Sequence, residues 1–311
     1  MGTRGSRLAI SQTQLVLNAL QKVNPSVDFE FVVISTKGDL DKRPLFTMDE
    51  KGLFEKEIND AVISGEIDFA VHSLKDVPTD LSDKLTIASI PKRGKPNDVL
   101  VNGKNIKFAD LPTAATIGTS SLRRAIQVIR KRPDLNVKPI RGNVETRIKK
   151  SISGEFDAII LAEAGLTRLG MKDLITERFC VKDFLPSPGQ GAIAIICRRH
   201  DRKLIKFLKS IEDQQSRTEI VAERSLLMKI EGGCRFPVGA CSITRHNPPT
   251  IILYAGVFSA DGTRSIKIKE FGNTQAPSKL GIKAANLLIK NGAAKLAEGW
   301  RDAVEDWNKK I

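Results

Sequence analysis

Short apolar runs of strand length alternate with helix-length amphipathic segments through the first two-thirds of the chain, and this alternation limits its fold more than any other feature. Candidate strands are Glu30–Ser35, Asp68–His72, Thr86–Ile90, Thr116–Gly118, Ala158–Ala162 and Ala192–Cys197. Helical periodicity covers Leu8–Lys22, Leu53–Ser64, Leu122–Lys131, Val144–Ile152 and Lys203–Ile211. Strands separated by helices predict βαβ units and mainly parallel sheets, which is the α/β class. Beyond residue 214 the pattern changes. A helix over Arg217–Glu231 opens with a possible capping box, Ser216-x-x-Glu219, and stops at Gly232-Gly233. Strand-like runs Ile251–Phe258 and Ser265–Phe271 flank a turn signal, Asp261-Gly262, and helices over Ser278–Lys290 and Ala293–Asn308 follow. That end of the chain reads as a smaller α+β domain.

A weak internal repeat bears on the first two-thirds. Gly2-Thr3-Arg4-Gly5-Ser6-Arg7-Leu8-Ala9 resembles Gly118-Thr119-Ser120-Ser121-Leu122-Arg123-Arg124-Ala125, and Gly65-Glu66-Ile67-Asp68 resembles Gly154-Glu155-Phe156-Asp157. Duplication of one α/β plan would give two lobes facing across a cleft; chance similarity of short glycine-containing strings is the competing explanation.

Charge narrows the partners. Fifty Lys and Arg against thirty-six Asp and Glu give a net charge of +14, which calls for anions. Aromatics make up only 5%, and no basic segment is interleaved with them, so base stacking is poorly served and nucleic acid is not the expected partner. The longest apolar runs, such as Ala192–Cys197, fall far short of the ~20 residues of a membrane helix. The first twenty residues hold Arg4, Arg7, Gln12, Gln14 and Asn18, which excludes a signal-peptide core there and favours the cytosol. Cys180, Cys197, Cys234 and Cys241 show no metal or redox spacing, and no metal site is expected.

Four places could carry chemistry. Both Gly-Thr strings set hydroxyls and arginines at a helix start, where free N–H groups and the helix dipole favour anions; simple N-capping is the alternative. From Thr113 to Glu155 ten Lys and Arg face three acids, and Arg141-Gly142-Asn143 sits between a strand and a helix, where open α/β sheets bind ligands. Arg130, Lys131 and Arg132, at a helix end, read instead as dipole partners or solvated charge. Asp76, just past a strand end in His72-Ser73-Leu74-Lys75-Asp76-Val77-Pro78, either caps a turn or steers a developing cation. Cys234 follows two glycines and precedes Arg235, a setting that favours thiolate, although most cysteines are small core residues.

Together these segments resemble the porphobilinogen deaminase (hydroxymethylbilane synthase) family, nearly end to end. The resemblance rests on Thr3-Arg4-x-Ser6-x-Leu8-Ala9-x-x-Gln12, Thr36-x-Gly38-Asp39, Lys51-Gly52-Leu53-Phe54-x-Lys56-Glu57 and Ala70-Val71-His72-Ser73-Leu74-Lys75-Asp76-Val77-Pro78. It continues through Gly118-Thr119-Ser120-Ser121-Leu122-Arg123-Arg124, Arg141-Gly142-Asn143-Val144-x-Thr146-Arg147, Leu161-Ala162-x-Ala164-Gly165-Leu166-x-Arg168-Leu169-Gly170, Pro188-Gly189-Gln190-Gly191-Ala192 and Glu231-Gly232-Gly233-Cys234.

The resemblance implies two periplasmic-binding-protein-like α/β lobes around a cleft and a smaller C-terminal α+β domain: residues 1–91 with 192–209, then 97–185, then 214–311. It implies a monomeric, cytoplasmic transferase that joins four porphobilinogen molecules head to tail on a dipyrromethane primer, releasing ammonia and hydroxymethylbilane. Cys234 would hold the primer through a thioether, with Lys75, Ser121, Arg123, Arg124, Arg147 and Asp39 as further cofactor contacts. Arg4, Ser6, Arg141, Arg168, Thr119, Ser120 and Gln190 would bind substrate, and Asp76 would be the catalytic carboxylate, expected as a buried acid among cations. Pyrrole acetate and propionate groups make the growing chain a polycarboxylate, which suits the charge balance. One departure is Thr47, where family members commonly carry a Lys. A non-catalytic, two-lobed binding protein for a small polycarboxylate is the alternative reading; it explains neither Cys234 nor the third domain.

Overall fold

The computed structural model describes residues 1–36, 55–231 and 237–309. They divide into two compact units, Met1–Gly94 with Gln190–Arg217, and Lys95–Gly189 with Thr218–Ile311.

In the first unit, β1 (Gly2–Thr3), β2 (Val32–Val33), β3 (Phe69–Ser73), β4 (Leu85–Ser89) and β10 (Ile193–Arg198) form one sheet in the order β2-β1-β3-β10-β4. Helices Arg7–Val23 and Lys56–Ser64 both pack on β3. Val16 and Leu20 of the first join Phe69, Val71, Ile193 and Ile195 in one core cluster. Helix Arg7–Val23 starts where Ser6 Oγ accepts the Ala9 N–H at 3.2 Å, so the first Gly-Thr string does cap a helix.

In the second unit, β5 (Asp98–Val101), β6 (Thr116–Gly118), β7 (Asn136–Lys138), β8 (Ala158–Ala162) and β9 (Glu177–Arg178) are ordered β7-β6-β8-β5-β9. A second sheet is an antiparallel meander of β11 (Val238–His246), β12 (Pro249–Phe258) and β13 (Ser265–Gly272). Helices Gln214–Glu231 and Pro277–Lys290 contribute Ala222, Leu226, Leu280 and Ala284 to the core beneath that meander. This is the mixed α/β class with a C-terminal α+β portion.

Several expectations need correction. The sheets are mixed rather than mainly parallel: β10 runs antiparallel to β3 and β4, and β5 antiparallel to β8 and β9. An apolar run buried on both faces reads the same in either direction, so periodicity could not decide it. β5 was missed because its apolar run, Val99–Val101, is only three residues long between Asp98 and Asn102, and β11 because Gly239, Ala240, Cys241 and Ser242 carry little strand propensity. Small residues are required in β11: a Cβ on Gly239 would stand 2.6 Å from Leu185 Cβ. The capping box over Ser216 and Glu219 does not form. Asp213 Oδ1 accepts from the Ser216 backbone and hydroxyl at 2.7 and 2.6 Å, while Glu219 accepts from Thr244. The final expected helix is two, Ala293–Leu296 and Trp300–Lys309.

Helix Pro277–Lys290 approaches Gln214–Glu231 so closely that a Cβ on Gly281 would collide with Ala222 O and lie 2.8 Å from Leu226 N. Both neighbours are backbone and cannot step aside. Gly281→Ala is expected to destabilise this unit by about 1–3 kcal/mol, read as a lower urea midpoint with the unfolding slope unchanged.

Candidate functional site

β3 ends at Ser73 and passes directly into a 3-10 turn, Leu74–Asp76, that carries Asp76 to the rim of a cavity of about 100 Å³. Arg4 and Ser6, from the segment joining β1 to helix Arg7–Val23, line the same cavity, as do Gln12, Glu55, His72 and Ser73. Three predicted residues, Arg4, Ser6 and Asp76, are thus brought together within one unit. The Gln12 amide and Ser73 hydroxyl are 2.8 Å apart and pin the helix to the strand end. Lys75 is exposed on the same turn, and Gln190 is buried, its carbonyl accepting from Arg93 Nε at 2.9 Å. Neither lines this cavity.

The buried acid of this cavity is not Asp76, which is exposed, but Glu55, at 3% exposure. A one-turn helix at a strand end lifts Asp76 outward, whereas Glu55 precedes helix Lys56–Ser64 and is held inward by it. Burial, and then the Asp76 charge, push the Glu55 carboxyl up to about 8, against a smaller opposing pull from Arg4. Glu55 Oε2 is buried with no hydrogen-bond partner among the described residues. His72 is buried as well; burial and the Arg4 charge lower it to about 4, so the ring is neutral at pH 7. Sequence reasoning missed Glu55 because it fills the unmatched position of Lys51-Gly52-Leu53-Phe54-x-Lys56-Glu57; its only signal was an acid next to a helix start.

The predicted arginines and hydroxyls of 119–168 belong to the second unit. Arg123 and Arg124, in the first turn of helix Leu122–Lys131, both pair with Asp98, which is fully buried. Arg123 Nη1 lies 2.9 Å from Asp98 Oδ2 and also donates to Leu185 O. Arg124 reaches Asp98 Oδ1 through Nε at 2.9 Å and Nη2 at 2.7 Å, and donates to Ile160 O at 3.2 Å. Much of their charge is therefore committed to the protein, and burial lowers the Arg123 guanidinium despite Asp98.

Beside them the chain turns three times. Thr119 accepts from Ser121 N at 3.2 Å, Ser120 Oγ donates to Ile140 O at 2.6 Å, and Asn143 caps helix Val144–Ile152. Gly142 in that loop has φ +112°, and a Cβ there would fall 2.7 Å from Thr146 Cβ, so the Arg141-Gly142-Asn143 turn needs glycine. Arg147 Nε donates to Gly142 O at 2.7 Å, which holds Arg147 against the loop carrying Arg141. Burial, and next the charge of Arg124, lower Arg147 to about 10; burial alone lowers Arg168 to about 10. Desolvated guanidiniums gain when a carboxylate arrives, so this set fits a polycarboxylate group. Arg132, read from the sequence as a dipole partner or solvated charge, instead forks onto Asp134 and three backbone carbonyls, a structural role. Asp39 and Cys234 lie outside the described residues, as does Thr47.

Residues 1–206 match the porphobilinogen deaminase, dipyromethane cofactor binding domain, and residues 217–290 match the porphobilinogen deaminase, C-terminal domain. The chain belongs to the porphobilinogen deaminase family. It is 51% identical over 309 residues to a probable porphobilinogen deaminase of Nitrosopumilus maritimus, covering 99% of this chain and 98% of that one. It is 44% identical over 300 residues to a porphobilinogen deaminase of Desulforamulus reducens, covering 96% of each. Among solved structures, a putative methionine-binding lipoprotein of Bacillus subtilis aligns with TM-score 0.43 and 14% identity, over 68% of this chain and 87% of that one. The dipyromethane cofactor named for this family's first domain is the group for which the arginine set has the right charge. No group of three or more His, Cys, Asp or Glu that could hold a metal occurs among the described residues.

Asp98 neutralises two buried cations at once, so removing it strands both. Asp98→Ala is expected to cost about 3–5 kcal/mol, measured as a loss of stability in thermal or urea unfolding. Asp98→Asn, which keeps the shape and loses the charge, should recover only part of it.

Proposed function

We propose that the chain deaminates porphobilinogen and joins four molecules of it head to tail, releasing ammonia and hydroxymethylbilane, as a transferase of its family. The observation that carries this reading is the match to both family domains over residues 1–206 and 217–290, with relatives aligned almost end to end. The binding-protein alternative has behind it only a distant likeness of fold. Membership is also the basis for proposing three domains, 1–91 with 192–209, 97–185, and 214–311, and a monomer in the cytoplasm; no helix among the described residues is long and apolar enough to cross a membrane.

Bound dipyrromethane supplies the pyrrole carbon on which the chain starts, and Cys234 is proposed as its point of attachment. Roles for the described residues are part of the same proposal. Arg4 and Ser6 offer a guanidinium and a hydroxyl to a substrate carboxylate at the cavity containing Asp76. Losing ammonia leaves a cation on the pyrrole methylene, and the Asp76 carboxylate at the rim is the anion that stabilises it. His72 is neutral and so does not compete with that cation for Asp76. Arg123, Arg124, Arg147 and Ser121 are proposed to hold the cofactor carboxylates, with Lys75 and Asp39 as further contacts; Arg141, Arg168, Thr119, Ser120 and Gln190 are proposed for substrate.

The test is intact mass under denaturing conditions, then turnover with porphobilinogen. An added mass equal to two deaminated porphobilinogen units, absent in Cys234→Ser, is expected. Asp76→Ala should retain the adduct and lose at least about 10²-fold in turnover. Normal turnover by Asp76→Ala would remove Asp76 from the mechanism.

A further inference from the structure

Ammonia leaves porphobilinogen only from a protonated nitrogen, and an amine bound in its neutral form must draw that proton from an acid. The cavity around Asp76 holds two carboxyl groups in different settings. Asp76 is exposed on its turn, next to solvent and Lys75. Glu55 is buried in the same cavity wall, and its inner oxygen, Oε2, has no partner among the described residues. A buried carboxylate without a partner is costly, and the Asp76 charge raises that cost, so the Glu55 carboxyl holds its proton. Among the described residues the charged and titratable groups facing Glu55 are Asp76, Arg4 and His72, and of these Arg4 favours ionisation. The result is a neutral acid and a carboxylate lining one cavity, a division of labour suited to general acid catalysis.

We propose that Glu55 is a second catalytic residue of this cavity, the acid that protonates the leaving amine while Asp76 stabilises the cation left behind. The inference rests on the deaminase reading. The Glu55 carboxyl gives its proton to the neutral aminomethyl nitrogen. The C–N bond then breaks with its electron pair going to nitrogen, and ammonia departs, leaving a methylene-pyrrolenine cation against Asp76. A pyrrole α-carbon of the acceptor supplies the electron pair for the new C–C bond and loses its hydrogen as a proton, which returns to the Glu55 carboxylate. The cycle closes with Glu55 neutral again, and no oxidant, reductant or other reactant is consumed. Deaminase activity could survive without this acid, because solvent can also protonate the amine, but more slowly.

The experiment uses the full-length holoenzyme and its Glu55→Gln variant, which keeps size and hydrogen-bonding capacity but cannot give up a proton. In the parent, kcat/KM for porphobilinogen should fall above about pH 8, as Glu55 loses its proton. In Glu55→Gln, kcat should fall roughly 10²-fold or more with KM changed little, the adduct mass should remain, and that alkaline limb should be gone. Glu55→Asp should recover part of the rate together with a displaced limb. Stability gives a readout that does not depend on turnover. A carboxyl raised in the folded state contributes stability below its unfolded value near 4.5 and loses it as pH rises towards about 8. Glu55→Gln should therefore melt near the parent at pH 5 and above it at pH 8. Parent-like kcat in Glu55→Gln, or a lower kcat with the alkaline limb unmoved, would overturn the acid role. A parent holoenzyme that releases no ammonia from porphobilinogen would instead overturn the deaminase reading, while the melting comparison would still report on Glu55.

Discussion

The pairing of Asp98 with Arg123 and Arg124 ties together more of the second unit than any other polar contact described. Asp98 opens β5, Arg124 also bonds the carbonyl of Ile160 in β8, Arg123 bonds that of Leu185, and both arginines sit in the first turn of helix Leu122–Lys131. Two strands, a helix and Leu185, which packs against Gly239 and Gly256 of the C-terminal meander, meet at this carboxylate and its two arginines. Taking three charges out of water is repaid only when geometry and additional acceptors are good, and the carbonyls of Ile160 and Leu185 supply those acceptors. Gln127 adds to the junction, its amide bonded to both the N–H and the C=O of Leu185 at 2.8 and 3.0 Å.

The first unit treats its ionisable groups in the opposite way. Glu55 and His72 are buried without such repayment, each with a polar atom lacking a partner among the described residues. Both respond by staying neutral, one protonated and one not, which leaves Arg4 and Asp76 as the charges that line the cavity. Rigid compensation in one unit and uncompensated polarity in the other fit a scaffold that holds anions and a pocket that handles protons.

Much of this was legible in the chain itself. Helix Leu122–Lys131 has the bounds its periodicity gives, and the Asp261-Gly262 turn does join two strands, because both depend on local pattern. Arg4, Ser6 and Asp76 converge because strand ends and helix starts of one sheet fall at one edge. What the residues hid was set by distant partners. Strand direction, the pairing of Asp98, and the small-residue strand β11 depend on contacts whose other half lies tens of residues away. Asp76, expected as the buried acid, is exposed for a similar reason: a motif names a residue without saying which way the turn beneath it points.

Strand β10 has a consequence for how the chain is made. It is inserted between β3 and β4, yet about a hundred residues separate it from β4. During synthesis β4 has no ladder partner within its own sheet until Ile193–Arg198 has left the ribosome, so the sheet begun by Met1–Gly94 stays open long after that segment has emerged. The sheet of Lys95–Gly189 has all its strands once Glu177–Arg178 has emerged, before the N-terminal sheet has its own, so the sheet begun first must keep its exposed edges out of trouble until the later-begun one is fully made.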